Sequence, residues 1–408
     1  MIIQDPERAI LHMDLDSFFV SVERLLDSRL NGKPILIGGT SDRGVVASCS
    51  YEARAFGIHS AMPMKMARQL CPEAIIIRGN SVNYSKYSEM VTNIIKEEVP
   101  LYEKTSIDEF YIDLSGTERF FGALKMASEL RQKITRETGL PISFGLSINK
   151  TVSKVATNEA KPNNQLQIAR GTEKDFLAPL SVRKIPMIGS KTYQNLRNLG
   201  IRIVKDLQMM PIEMLDKVFG KHGIAMWNKA NGIDNSPVIP YSERKSISTE
   251  RTFDRDTIDI AKLKSLLVAM GENLAFQLRR GQKLTACVTV KVRYSDFNTY
   301  TLQSRIPYTS ADHILIPKIM ELFERLYNRR LLVRLIGVRF SHIVGGHYQI
   351  NLFDDSLETI RLYQAMDKVR DRYGDRSVYR ASGMGAKTIS RFNPFKGEPP
   401  PLLANRRQ

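Results

Sequence analysis

The chain has 408 residues, 42% hydrophobic and 25% charged, a length beyond what one core usually organises, so several domains are expected. Sixty Lys and Arg against 43 Asp and Glu leave a formal charge of +17, which favours a polyanionic partner, nucleic acid or an anionic surface. No apolar run approaches the roughly 20 residues that span a bilayer, the polar start MIIQDPER does not read as a signal peptide, and Cys49, Cys71 and Cys287 have neither disulfide-framework nor zinc-site spacing; membrane insertion is not expected, and the compartment reads as a reducing bacterial cytoplasm.

Near the start, ILHMDLDSFF (10–19) runs through apolar residues into Asp14 and Asp16, and Phe18, Val22 and Leu25 then fall at helical spacing. Asp14 therefore stands at the carboxyl end of an expected strand, and Asp16 or Ser17 is expected to cap the helix that follows. KPILIGG (33–39) and GVVASCS (44–50) read as strands. The chain then breaks at Gly57 and resumes as a helix near Met64, with Tyr51 and Arg54 placed to share one helix face. An Arg fork matches phosphate oxygens and Tyr51 adds a hydroxyl donor, although a single Arg on a short helix is usually just solvated. AIIIRG (74–79) reads as a strand and residues 82–99 as a long helix.

Next comes SIDEFYID (106–113), where Asp108 and Glu109 sit side by side between apolar stretches. Residues 101–107 read as one strand; Phe110, Ile112 and Leu114 alternate with Tyr111 and Asp113 in a second. The two acids are thus expected at a tight turn of an antiparallel hairpin, where like charges repel and lose hydration unless a cation bridges them. A solvated acidic turn is the commoner fate of Asp-Glu, but a strand end carrying Asp14 beside this hairpin would bring three hard carboxylates together. Such a set suits magnesium or manganese and points to a two-metal phosphoryl-transfer site. A helix over 119–137 and a strand over 142–148 complete a strand, helix, two strands, helix, strand order that is similar to a split βαβ. In TVSKVATNEAKP (151–162), Lys161 precedes a proline near a helix end, where its ammonium can reach inward as a phosphate ligand.

Composition shifts after Arg170. IPMIGSKTYQNLRNLGI (185–201) has the look of a helix-hairpin-helix, with Gly189 and Lys191 at a helix start whose N–H groups can hold a phosphate without reading bases. A looser copy follows at 218–234, and a structural helical hairpin is an equally ordinary reading of both. NSPVIPYSERKSIS (235–248) reads as a linker. Beyond it, a helix over 258–280 precedes a strand with Ala286, Val288, Val290 and Val292 on one face. Another strand over 299–306, a helix bearing Leu315, Ile319, Leu322, Phe323 and Leu326, and a strand over 332–342 complete the pattern. Lys291, Arg293, Arg334 and Arg339 lie on or beside these strands and face outward if the apolar set faces in. After Gly346 come QINLFDD, an amphipathic stretch LYQAMDKVRDRYG and a Pro-rich end expected to be mobile.

With these residues in hand, the chain resembles the Y-family translesion DNA polymerases, in their bacterial DNA polymerase IV branch. HMDLDSFFVSVE, SCSYEARAFG, SIDEFYIDLSG and GLSINKTVSKVATNEAKPN carry the resemblance in the family's order, and it spans essentially the whole chain. It implies a multidomain α/β and α+β right-hand polymerase. A split-βαβ palm would occupy 1–19 and 81–169, small fingers 20–80, and a helix-hairpin-helix thumb 170–237. A linker at 238–248, a βαββαβ little finger at 249–346 and a tail at 347–408 would follow. By the same resemblance Asp14, Asp108 and Glu109, with the Leu15 carbonyl, would ligate two magnesium ions, for which manganese can substitute. Phe18, Phe19, Ser48, Tyr51, Arg54 and Lys161 would line the nucleotide site, with Phe19 the steric gate against a ribose 2′-hydroxyl. Gly189, Lys191, Lys291, Arg293, Arg334 and Arg339 would meet DNA, and Gln349, Leu352 and Phe353 would bind a sliding clamp. The implied partners are primer-template DNA, an incoming dNTP and that clamp, for a cytoplasmic monomer of low fidelity. Ser48 stands where Thr is frequent, and Met187 replaces the first glycine of the usual hairpin turn. A nucleotide cyclase palm also pairs acids with two metals but needs no helical hairpin or basic second domain; an inactive DNA-binding scaffold could have lost the acids.

Overall fold

The computed structural model describes residues 8–117, 122–346, 357–374 and 377–384, and the chain divides into two compact units after Ser242. The first unit begins with β1 (Ile10–Leu15), α1 (Phe18–Leu26), β2 (Ile35–Gly38), β3 (Val46–Cys49), α2 (Tyr51–Ala55), α3 (Met64–Leu70) and β4 (Ile75–Ile77). It continues through α4 (Ser81–Glu98), β5 (Tyr102–Lys104), β6 (Glu109–Asp113), α5 (Ala123–Thr138), β7 (Ile142–Ser147), α6 (Lys150–Ala160) and β8 (Gln165–Gln167). Short helices close it: α7 (Glu173–Leu177), α8 (Ser190–Asn198), α9 (Val204–Met209), α10 (Ile212–Phe219) and α11 (Lys221–Ala230).

The main sheet has the order β5-β6-β1-β7-β8, so β1 lies at its centre, antiparallel to both neighbours. All six residues of β1 are buried. Because strand side chains alternate, Leu11, Met13 and Leu15 enter the core made with α4 and α5, together with Phe110 and Ile112 of β6. The opposite face carries His12 and Asp14 from β1 and Glu109 and Tyr111 from β6, and α6 packs there. That approach depends on Gly145 of β7: a Cβ at this position would lie 2.2 Å from the Ser153 carbonyl oxygen. Helix α6 is started by Asn149, whose side chain accepts from Val152 N–H at 2.9 Å. The fifth strand, β8, pairs parallel with β7 and is an addition to the expected order.

Strands β3, β2 and β4 form a small separate sheet covered by α2, α3 and the segment between them through Ala53, Ile58, Met64 and Ala67. Helices α7 to α11 bury Leu177, Leu196, Leu207, Leu215 and Met226 against Val152, Val155 and Ala156 of α6. The end of this helical segment is latched to the sheet. Asp234 accepts from Thr151 N–H at 3.1 Å and Thr151 Oγ1 at 2.6 Å, Asn149 Nδ2 donates to Gly232 at 2.8 Å, and Ile239 N–H donates to Glu103 at 2.7 Å.

The second unit consists of β9 (Ser246–Thr257), α12 (Ile260–Arg280), β10 (Lys283–Tyr294), β11 (Thr299–Thr309), α13 (Asp312–Leu326), β12 (Val333–Gly345) and α14 (Leu357–Tyr373). Its sheet runs β11-β10-β12-β9, antiparallel throughout, which is the expected βαββαβ pattern plus one helix. Strand β9 starts within the stretch read as linker. Val288, Val290, Val292 and Tyr294 are buried under α12 and α13. Ala286 does not join them as expected, because a bulge between Thr285 and Cys287 shifts the alternation and buries Cys287 instead.

Helix α14, read from sequence as part of a tail, docks on α12 and α13 through charge. The Arg279 guanidinium donates to Asp367 at 2.6 and 2.9 Å, to Asp312 at 2.6 Å and to the Ser310 carbonyl at 3.0 Å. Arg370 and Arg380 flank buried Glu272 at 3.7 and 3.5 Å. Tyr363 stacks on His313, with ring centroids 6.0 Å apart.

Replacing Arg279 with Leu strands the fully buried Asp312 and removes the anchor of Asp367. The expected loss is about 3–5 kcal/mol of stability, read from urea unfolding. Asp234 gives a pH-dependent expectation. Although partial burial works against it, hydrogen bonds from Ser236 and Thr151 and the Lys229 charge lower its pKa to about 2, below the roughly 3.9 of an unfolded Asp. The stabilisation it supplies is present above the unfolded value and is lost as pH falls toward 2. Asp234→Asn should therefore unfold more readily than the parent at pH 6, with the difference shrinking in acid when both are followed by circular dichroism.

Candidate active site

The period of two that buries the apolar half of β1 and β6 delivers their acids to one place. Asp14 is the direct cross-strand partner of Glu109, and Leu15 N–H donates to the Asp108 carbonyl at 3.1 Å. The hairpin turn is organised by Ser106, whose Oγ accepts from Glu109 N–H at 2.9 Å and Asp108 N–H at 3.2 Å and donates to the Asp108 carboxylate. Sequence reading passed over Ser106. A Ser two and three residues before the acids is an ordinary turn signature and could have been read as one.

From the α6 side, two ammonium groups meet these carboxylates. Lys154 Nζ donates to both Glu109 oxygens at 2.9 and 2.7 Å, and Lys161, just past the end of α6, donates to Asp14 Oδ1. Burial raises Asp14 to about 7, against the pull of Lys161 and assisted by the negative charges of Asp108 and Glu109. Burial also raises Asp108. Glu109 goes the other way, because Lys154 outweighs its burial and holds it below the usual carboxylate range. Beneath them His12 is fully buried; burial lowers its pKa to about 3, which keeps the ring neutral, and Nδ1 lies 2.8 Å from Thr157 Oγ1. Among the described residues no three carboxylate, His or Cys side chains converge as a ready-made metal cage. Asp14 and Glu109 are turned onto lysines instead. The donor set nonetheless fits a hard divalent cation: three carboxylates on adjacent backbone positions, two of them held back from ionisation by burial.

The neighbouring segment supplies the other candidates. Tyr51 Oη donates to Asp16 at 3.3 Å, Arg54 Nη2 donates to Ser17 Oγ at 3.1 Å, and the Arg54 guanidinium lies 4.5 Å from the Tyr51 ring centroid. The pair thus shares a face, as spacing predicts, and is tied to the turn after Asp14, with Arg54 exposed. Ser48 is half-buried on β3. Asp16 and Ser17 do not cap α1. Ser17 sits at φ 43 with no capping hydrogen bond, and Asp16 accepts from Ser143 Oγ at 2.8 Å and Asn163 N–H at 2.7 Å. Asp16 is therefore a buried tie between β1 and the segment carrying Lys161. Phe18 and Phe19 part company: Phe18 is core, while Phe19 is partly buried at the core's margin and stacks on Tyr84 with centroids 4.3 Å apart. Tyr84, absent from the expected set, is braced by Glu23 at 2.5 Å.

Gly189 is the residue before α8 and Lys191 its second residue, at the helix start. In the second unit Lys291, Arg293 and Arg339 alternate with the buried valines. Lys291 pairs with Glu250, and Arg293 Nε donates to Thr299 at 2.7 Å. Arg334 falls at a register shift in β12 and lies 4.3 Å over the Phe297 ring, away from that alternation. Gln349, Leu352 and Phe353 lie outside the described residues.

Residues 13–158 match the impB/mucB/samB family, residues 244–352 its C-terminal domain, and residues 183–234 the DNA polymerase-iota thumb domain. DNA polymerase IV of Dehalococcoides mccartyi is 40% identical over 91% of this chain and 96% of that relative. DNA polymerase IV of Streptococcus pneumoniae is 36% identical over 83% of this chain and 98% of its own. A solved Y-family DNA polymerase chimera of Dbh and Dpo4 segments superposes with a TM-score of 0.72 at 26% identity, covering 83% of this chain and all of that one. The chain belongs to the Y-family DNA polymerases, in the DNA polymerase IV group. Membership carries a general requirement for divalent metal and a DNA substrate.

The turn before α8 carries a testable cost. Met187 is held at φ 79, in the left-handed region that glycine enters freely. Its side chain is 45% exposed, so little packing is lost on its removal. Met187→Gly should be neutral to stabilising by up to about 1 kcal/mol in thermal unfolding, with no loss of DNA affinity.

Proposed function

We propose that the chain is a template-directed polymerase that adds dNTPs to a primer 3′-hydroxyl by two-metal phosphoryl transfer, with low fidelity, in translesion synthesis. The observation that carries this reading is the cross-strand pairing of Asp14 with Glu109 beside Asp108. Asp14, Asp108, Glu109 and the Leu15 carbonyl hold two Mg2+, for which Mn2+ can substitute. Bound there, the metals supply positive charge to the attacking and leaving oxygens of an in-line displacement. Tyr51, Arg54, Ser48 and Lys161 bind and orient the triphosphate; Arg54 offers an exposed fork and Lys161 moves from Asp14 to phosphate. Glu109 helps the primer hydroxyl lose its proton. Phe18 backs Phe19, and Phe19, fixed against Tyr84, occupies the space of a 2′-hydroxyl.

The domains follow as palm 1–19 and 81–169, fingers 20–80, thumb 170–237, linker 238–248, little finger 249–346 and a tail from 347. Gly189, Lys191, Lys291, Arg293, Arg334 and Arg339 meet the DNA backbone, and residues 349–353 bind a sliding clamp. The protein acts as a cytoplasmic monomer; among the described residues no helix is long and apolar enough to cross a membrane.

Asp108→Ala or Glu109→Ala should abolish primer extension while primer-template affinity, measured by fluorescence anisotropy, stays within about twofold, since phosphate contacts lie elsewhere. Extension by either variant at the parent rate would remove the metal assignment. Phe19→Ala should admit ribonucleotides while largely keeping dNTP use, because the ring is only partly buried, at the margin of the core. A variant that unfolds, without gaining ribonucleotide incorporation, would return Phe19 to a packing role.

A further inference from the structure

Two lysines face the acids, and only Lys161 has a role in the reading above. Lys154 has none, yet its geometry is the more complete, with one ammonium engaging both oxygens of one carboxylate at 2.9 and 2.7 Å. Those lone pairs are the ones a metal would use. The lysine is also fixed from behind. Helix α6 is capped by Asn149, seated on Gly145 and tied to β1 by Ser153, which donates to the Ile10 carbonyl at 2.6 Å. Facing the pair are Asp14 held by Lys161, Asp108 held by Ser106, and neutral His12. Lys154 is therefore the sole ammonium on Glu109 among the described contacts, and its side chain is 27% exposed, with a route to water on release.

We infer that Lys154 is an internal counter-ion of the metal site, holding Glu109 in place before metal loads and competing with the metal for the same oxygens. The inference rests on the reading of Glu109 as a metal ligand. Lys154 is a positioning residue that acts through that carboxylate. While Lys154 stays, like charges at the hairpin are balanced and the turn keeps its shape. For Glu109 to ligate, the ammonium must swing out, so the free enzyme binds cation weakly. The Asp14–Lys161 pair differs in that an incoming triphosphate offers Lys161 a new anionic partner.

The test titrates Mn2+ alone into the full chain without DNA or nucleotide at pH 8, reading free Mn2+ by electron paramagnetic resonance. Lys154→Met should bind Mn2+ on the order of tenfold more tightly than the parent, since a positive charge next to the site is gone. In EDTA it should melt lower than the parent, with Mn2+ restoring the difference. Lys154→Arg, which keeps the charge, should bind as the parent does. Lys154→Gln covers the case in which Lys154→Met does not fold, and should show the same gain. Unchanged or weaker Mn2+ binding by a folded neutral variant overturns the inference. Glu109→Gln separates the two readings. If it loses Mn2+ while Lys154→Met gains nothing, the counter-ion role alone fails; if it binds Mn2+ as the parent does, the metal-ligand reading fails and takes this inference with it.

Discussion

The structure turns on the antiparallel seam between β1 and β6. A strand that buries Leu11, Met13 and Leu15 on one side is obliged by its pleat to present His12 and Asp14 on the other. Pairing it with β6 then sets Glu109 opposite Asp14, with Asp108 one residue away. Like charges at that distance in a buried place are unfavourable, and every nearby feature answers to that. Two lysines come in from α6, Ser106 ties the turn, and Asp16 binds the segment that carries Lys161. Gly145 belongs to the same constraint, because without it α6 would stand too far off for its lysines to reach. Hydrophobic burial sets the register, and the register sets the chemistry.

Much of this was legible beforehand. The apolar run into Asp14 and the alternation after Glu109 are period-two signals strong enough to specify strands and to place the acids near one another. The βαββαβ order of the second unit was legible for the same reason. What was not legible depended on contacts between distant segments. Asp16 has the look of a helix cap, because Asp before a helix usually is one, but its partners, Ser143 and Asn163, lie far along the chain. Lys154 looks like any solvated helix lysine until Glu109 is placed against it. Ala286 was misplaced because a bulge breaks the alternation, and a bulge leaves little trace in composition. Phe18 and Phe19 are identical as letters, and only the orientation of α1 makes one core and the other a stacked, partly buried ring.

The end of the chain makes the same point with charge in place of apolar periodicity. The stretch after residue 356 is rich in Asp and Arg, a composition that suggests solvation and a free tail. In the fold, its helix joins α12 and α13 through Arg279, which no apolar-pattern argument would select. Arg279 and Asp312 already pair between α12 and α13, and α14 adds Asp367 to Arg279 and Arg370 to buried Glu272, so the helix completes a charge network that the unit buries. The helix therefore joins its unit by opposite charges, where α12 and α13 meet the sheet through leucine, valine and isoleucine.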